Sequence, residues 1–175
     1  GCEGEDSINV HVLPSIAIVL PSAQYLCAGE EVNLTASYTG GSNGSVSYIW
    51  DYGVYTGATQ SLSWLTNASM MVKVEDDVFG CADSASFPIV IRNVSADFNY
   101  SDTCQLSTTS FSSLSSGSGT LANYDWLFNG SVTNSGENVT YVFPSAGNQT
   151  VKLMVEDDLG CVDSVEKTIT ISSPP

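Results

Sequence analysis

Five cysteines, nineteen acids and one histidine are the groups in this 175-residue chain with chemistry to offer. A hydrolase needs a nucleophile with a base, two placed carboxylates in a cleft, or a metal with an open position. Serines are abundant, but His11 is the only histidine and lies in a partial copy of a repeated segment. No Ser-His-Asp set can therefore be assembled within one copy. The carboxylate pairs Asp76/Asp77 and Asp157/Asp158 are adjacent in sequence, and neighbours on a turn diverge, which defines neither glycosidase geometry. With Glu75 and Glu156 these acids form two runs of three hard oxygen donors, the ligand type that calcium takes. Glu75, Asp76, Asp77, Glu156, Asp157 and Asp158 are accordingly the metal candidates, although no Asp-x-Asp-x-Asp-Gly loop accompanies them. The expectation is no catalytic residue, no cofactor, and at most a calcium ion at those turns.

The cysteines point elsewhere. A Gly-Cys pair followed by Asp-Ser occurs at Gly1-Cys2 with Asp6-Ser7, Gly80-Cys81 with Asp83-Ser84, and Gly160-Cys161 with Asp163-Ser164. Cys2, Cys81 and Cys161 are spaced by 79 and 80 positions. A fixed period of that size is the signature of a tandem array. Cys27 and Cys81 fall in one copy and Cys104 and Cys161 in the next, separated by 54 and 57 positions. Those near-equal spacings, with no CxxC, predict one bridge per copy, Cys27–Cys81 and Cys104–Cys161, and leave Cys2 unpaired by truncation. Closing a loop of that length stabilises a small module by roughly 4 kcal/mol in the chain-entropy account. Bridges of this kind persist outside the reducing cytosol, so the expected location is extracellular or on the cell surface.

Two copies of about 80 residues need short elements to hold these groups. Apolar residues alternate in 70–75 (Met70, Val72, Val74) and in 151–156 (Val151, Leu153, Val155), the period of a half-buried strand. The final strands alternate as well: Ile8, Val10 and Val12 in the partial copy, and Val165, Ile169 and Ile171 in the last, where Lys167 interrupts the series and suggests a strand edge. Further strands are expected at 16–20, 32–36 and 61–65, then at 96–100, 106–111 and 138–143. Tyr48-Ile49-Trp50 and Tyr124-Asp125-Trp126 recur, with Trp50 and Trp126 expected in the core because aromatic bodies dominate small interiors. Many short strands with no helical period indicate antiparallel β-sandwiches. The division is 1–13 as the last strand of a preceding copy, 14–92 and 93–173 as two sandwiches, and 174–175 as the start of another linker. The first cysteine precedes the second strand and the second follows the penultimate one, so each bridge is expected to staple one end of its sandwich.

Four Lys and Arg against nineteen acids give a net charge of -15, which repels phosphate backbones and anionic bilayers. Nucleic acid and membrane insertion are excluded as partners; neighbouring repeats of the same protein, surface glycans and other proteins remain. Gly1 already lies inside a repeat, so the chain reads as a mature fragment.

With both copies laid out, the chain resembles tandem PKD domains, an immunoglobulin-like family named for polycystic kidney disease protein. The family's Tyr-x-Trp-Asp-Phe-Gly-Asp-Gly run is matched in part by Tyr48-Ile49-Trp50-Asp51-Tyr52-Gly53, and less closely by Tyr124-Asp125-Trp126-Leu127-Phe128-Asn129-Gly130. The family's strand, acid and Gly-Cys stretch is matched by 72–81 and 151–161. The Gly-Cys-x-Asp-Ser form is similar to repeated modules of large secreted adhesins of the Bacteroidetes. That resemblance implies non-enzymatic spacers in an adhesin stalk or surface filament, or appendages to secreted hydrolases. Both copies lack the family's second Asp.

Surface chemistry completes the reading. Eight Asn-x-Ser/Thr triplets start at Asn33, Asn43, Asn67, Asn93, Asn99, Asn129, Asn138 and Asn148. Ser7, Ser84 and Ser164 sit in Asp-Ser contexts that resemble the Bacteroidetes O-glycosylation signal. The rival readings are a carbohydrate- or protein-binding module with Trp64, Tyr52 and Tyr55 as a stacking face, and self-assembly in which 6–12 completes a neighbouring chain's sheet. Glycans at any acceptor are expected to raise the intact mass of native material above that of the bare polypeptide; a bare mass dismisses them all.

Overall fold

The computed structural model describes residues 7–42, 44–101 and 103–173. Among them the regular structure is β throughout, apart from one 3-10 turn at Asp51–Gly53. The chain divides into two compact units, Gly1–Gln24 with Glu31–Ile89 and Tyr25–Glu30 with Val90–Pro175.

The first repeat opens with β1 (Ala17–Val19), β2 (Gln24–Cys27), β3 (Glu31–Thr35), β4 (Ser37–Thr39) and β5 (Val46–Trp50). After the 3-10 turn come β6 (Tyr55–Thr56), β7 (Thr59–Ser63), β8 (Ala68–Asp76) and β9 (Ala82–Arg92). One layer is the sheet β2-β9-β8-β5-β6; the other is formed by the pairs β3-β7 and β1-β4. The second repeat runs through β10 (Val94–Ser95), β11 (Phe98–Tyr100), β12 (Thr108–Ser113), β13 (Ser116–Gly117) and β14 (Leu121–Phe128). It continues with β15 (Ser131–Ser135), β16 (Asn138–Val142), β17 (Gly147–Asp157) and β18 (Val162–Ile171). Its layers are β15-β14-β17-β18 and β11-β12-β16, with β10-β13 as a small ribbon.

The alternation in the sequence is the cause of this layering. Met70, Val72 and Val74 on β8, like Val151, Leu153 and Val155 on β17, are all buried, while the residues between them face outward or are half-buried. Cross-strand register repeats too: Trp50 lies opposite Val72 and Tyr48 opposite Val74, as Trp126 lies opposite Leu153 and Tyr124 opposite Val155. The copies differ at the turn after the Trp strand. Asn129 (φ 51°) and Gly130 (φ 80°) join β14 to β15 with the two positive φ angles that a tight hairpin demands. The first copy has no Asn-Gly there, and Asp51 (φ 46°), Tyr52 (φ 58°) and Gly53 (φ 100°) turn the chain in a longer loop.

The core of the second unit is aromatic. Phe98, Phe111, Trp126, Phe128 and Phe143 are almost wholly inaccessible. Phe111 sits at the centre, 5.1 Å from Phe128, 5.6 Å from Trp126, 6.2 Å from Phe98 and 6.3 Å from Phe143, edge-to-face or tilted as ring quadrupoles favour. Lys167 breaks the apolar series of β18, which pairs with β17 and lies at the edge of the sheet β15-β14-β17-β18, as the interruption suggested. Its stem carries Nζ to 4.6 Å above the Phe98 ring and 2.6 Å from Asp97 Oδ1. A long cationic side chain thus covers apolar surface while its head stays polar.

One expected element is absent. Residues 7–13 form no strand, and Ile8, Val10 and Val12 are 88%, 76% and 87% exposed. Alternation alone cannot hold a strand whose N–H and C=O groups face no partner. Asp6, Cys2 and residues 174–175 lie outside the described residues.

Truncating the centre of the aromatic cluster tests this packing. Phe111→Ala is expected to cost about 3–5 kcal/mol in urea unfolding, whereas Tyr52→Ala, at a side chain 85% exposed, is expected to change stability by about 0.5 kcal/mol or less.

Candidate functional site

Each acidic run sits where a long strand turns through Gly80 (φ 69°) or Gly160 (φ 90°) into the Gly-Cys segment. The middle acid of each run is buried, Asp76 at 1% and Asp157 at 2% exposure, in defiance of the rule that turn acids are solvated. Its carboxylate caps the turn. Asp76 Oδ1 accepts from the N–H groups of Val78 (2.9 Å) and Phe79 (3.2 Å), and Oδ2 accepts from Ser42 N–H at 2.8 Å. Asp157 Oδ1 accepts from Leu159 and Cys161 N–H groups, both at 2.9 Å. The two backbones close in the same way: Asp76 N–H donates to Cys81 C=O at 2.8 Å, and Asp157 N–H to Cys161 C=O at 2.9 Å. The hydrogen bonds from Ser42, ahead of those from Val78 and Phe79, hold the Asp76 carboxyl down at about 2, below its ordinary 3.8.

The flanking acids are engaged as well. Glu75 pairs with Lys73 at 2.6 Å, and Asp77 accepts from Ser47 Oγ at 2.6 Å. Glu156 accepts from Asn123 at 3.2 Å, while Asp158 accepts from Thr120 N–H and lies 3.4 Å from Arg92. Among the described residues, no group of three or more His, Cys, Asp or Glu side chains is placed to hold a metal ion. The acids that composition offered to calcium are used as scaffold.

The Asp of the Asp-Ser motif has a role that spacing did not reveal. Asp83 Oδ2 accepts from the N–H of Ile18 in β1 at 2.9 Å, and Asp163 Oδ2 accepts from Ala96 N–H at 2.8 Å. Both contacts tie the last strand of a repeat to its opening segment, 65 and 67 positions away. The indoles repeat a contact of the same kind: Trp50 Nε1–H donates to Gly57 C=O at 2.7 Å and Trp126 Nε1–H to Gly136 C=O at 2.9 Å. Both rings are at 0% exposure, so Trp50 and Trp126 are core anchors.

The bridge differs from the expected pairing. Cys27 is joined to Cys161, with Cα atoms 5.3 Å apart, and Cys81 and Cys104 are free and exposed. Neither Cys27–Cys81 nor Cys104–Cys161 forms. Bonding requires the two Cα atoms to approach within about 7 Å, and equal spacing along a chain does not secure that. The segment Tyr25–Glu30, carrying Cys27, belongs to the second unit, where Cys161 lies.

The sugar acceptors are mostly accessible. Ser7, Ser84 and Ser164 are exposed, as are Asn33, Asn67, Asn93, Asn99, Asn138 and Asn148. Asn43 lies outside the described residues. Asn129 is tied into its hairpin, its Nδ2 donating to Gln149 at 2.6 Å and its Oδ1 accepting from Thr150 N–H at 3.0 Å. The three aromatics of the proposed stacking face are not assembled on one strand pair: Tyr52 and Tyr55 lie at the β6 edge, and Trp64 follows β7 in the other layer.

Surface depressions flank both Tyr-x-Trp strands. In the first copy one of about 630 Å³ is lined by Val46, Tyr48, Ile49, Thr56 and Ala58. In the second, one of about 400 Å³ is lined by Asn123, Tyr124, Asp125, Gly136 and Glu156. The place recurs, but its lining changes from apolar to acidic.

Paired antiparallel layers around a buried Trp define an immunoglobulin-like β-sandwich. The PKD domain family model matches residues 93–172, so the second repeat is a PKD-type module. The chain is similar to the PKD1 domain of Vibrio anguillarum Epp, at 30% identity over 46% of this chain and 95% of that one, with a TM-score of 0.42. It is similar as well to the PKD1 domain of the Vibrio cholerae metalloprotease PrtV, at 29% identity, 44% and 94% coverage, and a TM-score of 0.40. Across 93% of this chain and 68% of the other, titin domains I67–I69 share the fold at 13% identity with a TM-score of 0.53. No curated protein matches the chain.

Two measurements probe the frame. Asp76 is held low when folded, so its contribution is complete above about pH 4 and is lost as pH falls through about 2. Asp97, held low by its hydrogen bond from Lys167, acts in the same direction. The wild-type Tm is expected to fall across that window, and Asp76→Asn to start lower at pH 7 and fall less steeply. At neutral pH, Asp163→Ala is expected to cost about 1 kcal/mol, the net worth of one hydrogen bond, while Ser164→Ala leaves the urea midpoint unchanged.

Proposed function

We propose that the chain is a pair of non-enzymatic spacer modules from a long extracellular repeat protein, an adhesin stalk or surface filament. The observation that carries this reading is what the recurring residues do. Asp76 and Asp157 cap turns, Asp83 and Asp163 tie down opening segments, and Trp50 and Trp126 fill cores. These recurring acids and indoles build the frame, and the recurring Tyr48 and Tyr124 line two depressions whose other side chains differ between the copies. A ligand shared by both copies would need like side chains in like places, yet Ile49 and Ala58 stand beside one Tyr-x-Trp strand where Asp125 and Glu156 stand beside the other.

A disulfide at Cys27–Cys161 supports an oxidising, extracellular setting. Among the described residues no helix is long and apolar enough to cross a membrane. Sugars on Ser7, Ser84, Ser164 and the exposed asparagines would shield strand edges from pairing with other chains and from proteases. Calcium has no part in this proposal.

The test is retention of the chain on a glycan array and on insoluble polysaccharides. No retention above background is expected. Saturable binding that disappears in Tyr52→Ala or Trp64→Ala would overturn the spacer reading in favour of a carbohydrate-binding module.

A further inference from the structure

The bridge of this chain joins the first cysteine of one sequence repeat to the second cysteine of the next, Cys27 to Cys161, across 134 positions. In the second repeat Cys104 takes the place of Cys27, and in the first Cys81 takes the place of Cys161. Backbone geometry supports both equivalences. Cys27 and Cys104 each stand four residues before a strand, β3 and β12. Each accepts at its carbonyl from the N–H three residues on, Glu30 at 3.0 Å and Ser107 at 3.2 Å. Cys27 ends β2, the neighbour of β9, and Cys104 makes a parallel bridge to Ser172, directly after β18. Cys81 and Cys161 each follow a positive-φ glycine and accept the N–H of the buried turn aspartate. Two half-sites of one kind and two of the other are therefore built, and one of each is joined.

We propose that Cys104 and Cys81 are the open halves of further bridges of the Cys27–Cys161 kind. Cys104 takes the Gly-Cys cysteine of a following copy of the module, and Cys81 takes the Cys27-type cysteine of a preceding copy. Each module would then be bonded to its neighbours by a staggered series of disulfides, and none would be bonded to itself. This rests on the reading of the chain as part of a tandem array. In forming each bridge, two thiols release two protons and two electrons and one S–S bond is made. The electrons pass to a small-molecule disulfide such as oxidised glutathione, which is reduced to two thiols. Both free cysteines are exposed, as exchange with such an oxidant requires.

The first test uses the chain itself, with Cys2→Ser to remove the fifth cysteine. Alkylation with N-ethylmaleimide before reduction is expected to label Cys81 and Cys104 and to spare Cys27 and Cys161. The second uses the same chain with another copy of residues 94–175 appended after Ser173 and oxidised in a glutathione buffer. Non-reducing peptide mapping is expected to link Cys104 to the appended counterpart of Cys161, to keep Cys27–Cys161, and to leave Cys81 alkylatable. In Cys104→Ser the appended counterpart should become alkylatable while the far-UV circular dichroism stays that of the extended chain. A Cys104–Cys161 or Cys27–Cys81 link, or a Cys104 that stays fully alkylatable in the folded extended chain, would overturn the proposal. Glycan binding would overturn the spacer reading and leave this map untouched; an unlinked Cys104 would sink the staggered bridges and leave the spacer reading standing.

Discussion

Two indoles at 0% exposure set the terms for the rest of the structure. A buried Trp contributes a large apolar surface, but its N–H must find an acceptor inside or cost the desolvation of a polar group. In both copies that acceptor is the carbonyl of a glycine in or beside the next turn, Gly57 or Gly136. The contact places the turn over the ring and fixes the strand that carries Trp opposite the apolar face of β8 or β17. The loops between indole and acceptor differ in length, and the contact survives the difference. The second copy builds around its indole a cluster of phenylalanine rings, while the first relies more on aliphatic side chains such as Leu34, Val72, Val74 and Ile89.

The acidic character of the chain takes on a different meaning once the turns are seen. A net charge of -15 invites a search for cations. Four acids instead serve as internal acceptors for backbone N–H groups at places where the chain reverses or an opening segment must be held. Asp76 and Asp157 do so from within the protein, where a carboxylate needs donors. Three N–H groups reach Asp76, and two reach Oδ1 of Asp157 while its Oδ2 is buried with no partner among the described residues. Asp83 and Asp163 do so from the surface, reaching across to segments more than sixty positions away. The Gly-Cys-x-Asp-Ser signature is thus a compact instruction for ending one strand, reversing, and fastening the return strand to the start of the module. Charge here is architecture first.

The cysteines extend the same economy. A small β-sandwich with a good aromatic core has less need of an internal staple than its size alone suggests. Closing a loop of 134 residues removes about 5 kcal/mol of conformational freedom from the unfolded chain in the chain-entropy account. The bridge crosses the sequence boundary between the two copies, yet both of its cysteines lie in the second compact unit.

Strand periodicity, the repeat length, the buried tryptophans and the all-β class were written in the order of residues, because a period of two and a period of eighty are both local or linear properties. Hence β8, β17 and β18 lie close to where alternation placed them. Three things were beyond the reach of linear order. The pairing of Cys27 with Cys161 depends on which loops end up adjacent after the sheets have formed. Burial of Asp76 inside a run that reads as a solvated turn draws on an N–H donor from a distant loop, Ser42, while Asp157 is held by the Leu159 and Cys161 N–H groups of its own turn. The loss of strand structure at residues 7–13 depends on whether a partner strand is present to pair with, and Ile8, Val10 and Val12 alternate equally well with or without one. Sequence by itself determined which faces of each segment are apolar; the tertiary structure decided which segments meet, because sulfur bonds, carboxylate caps and sheet edges are satisfied only by neighbours in space.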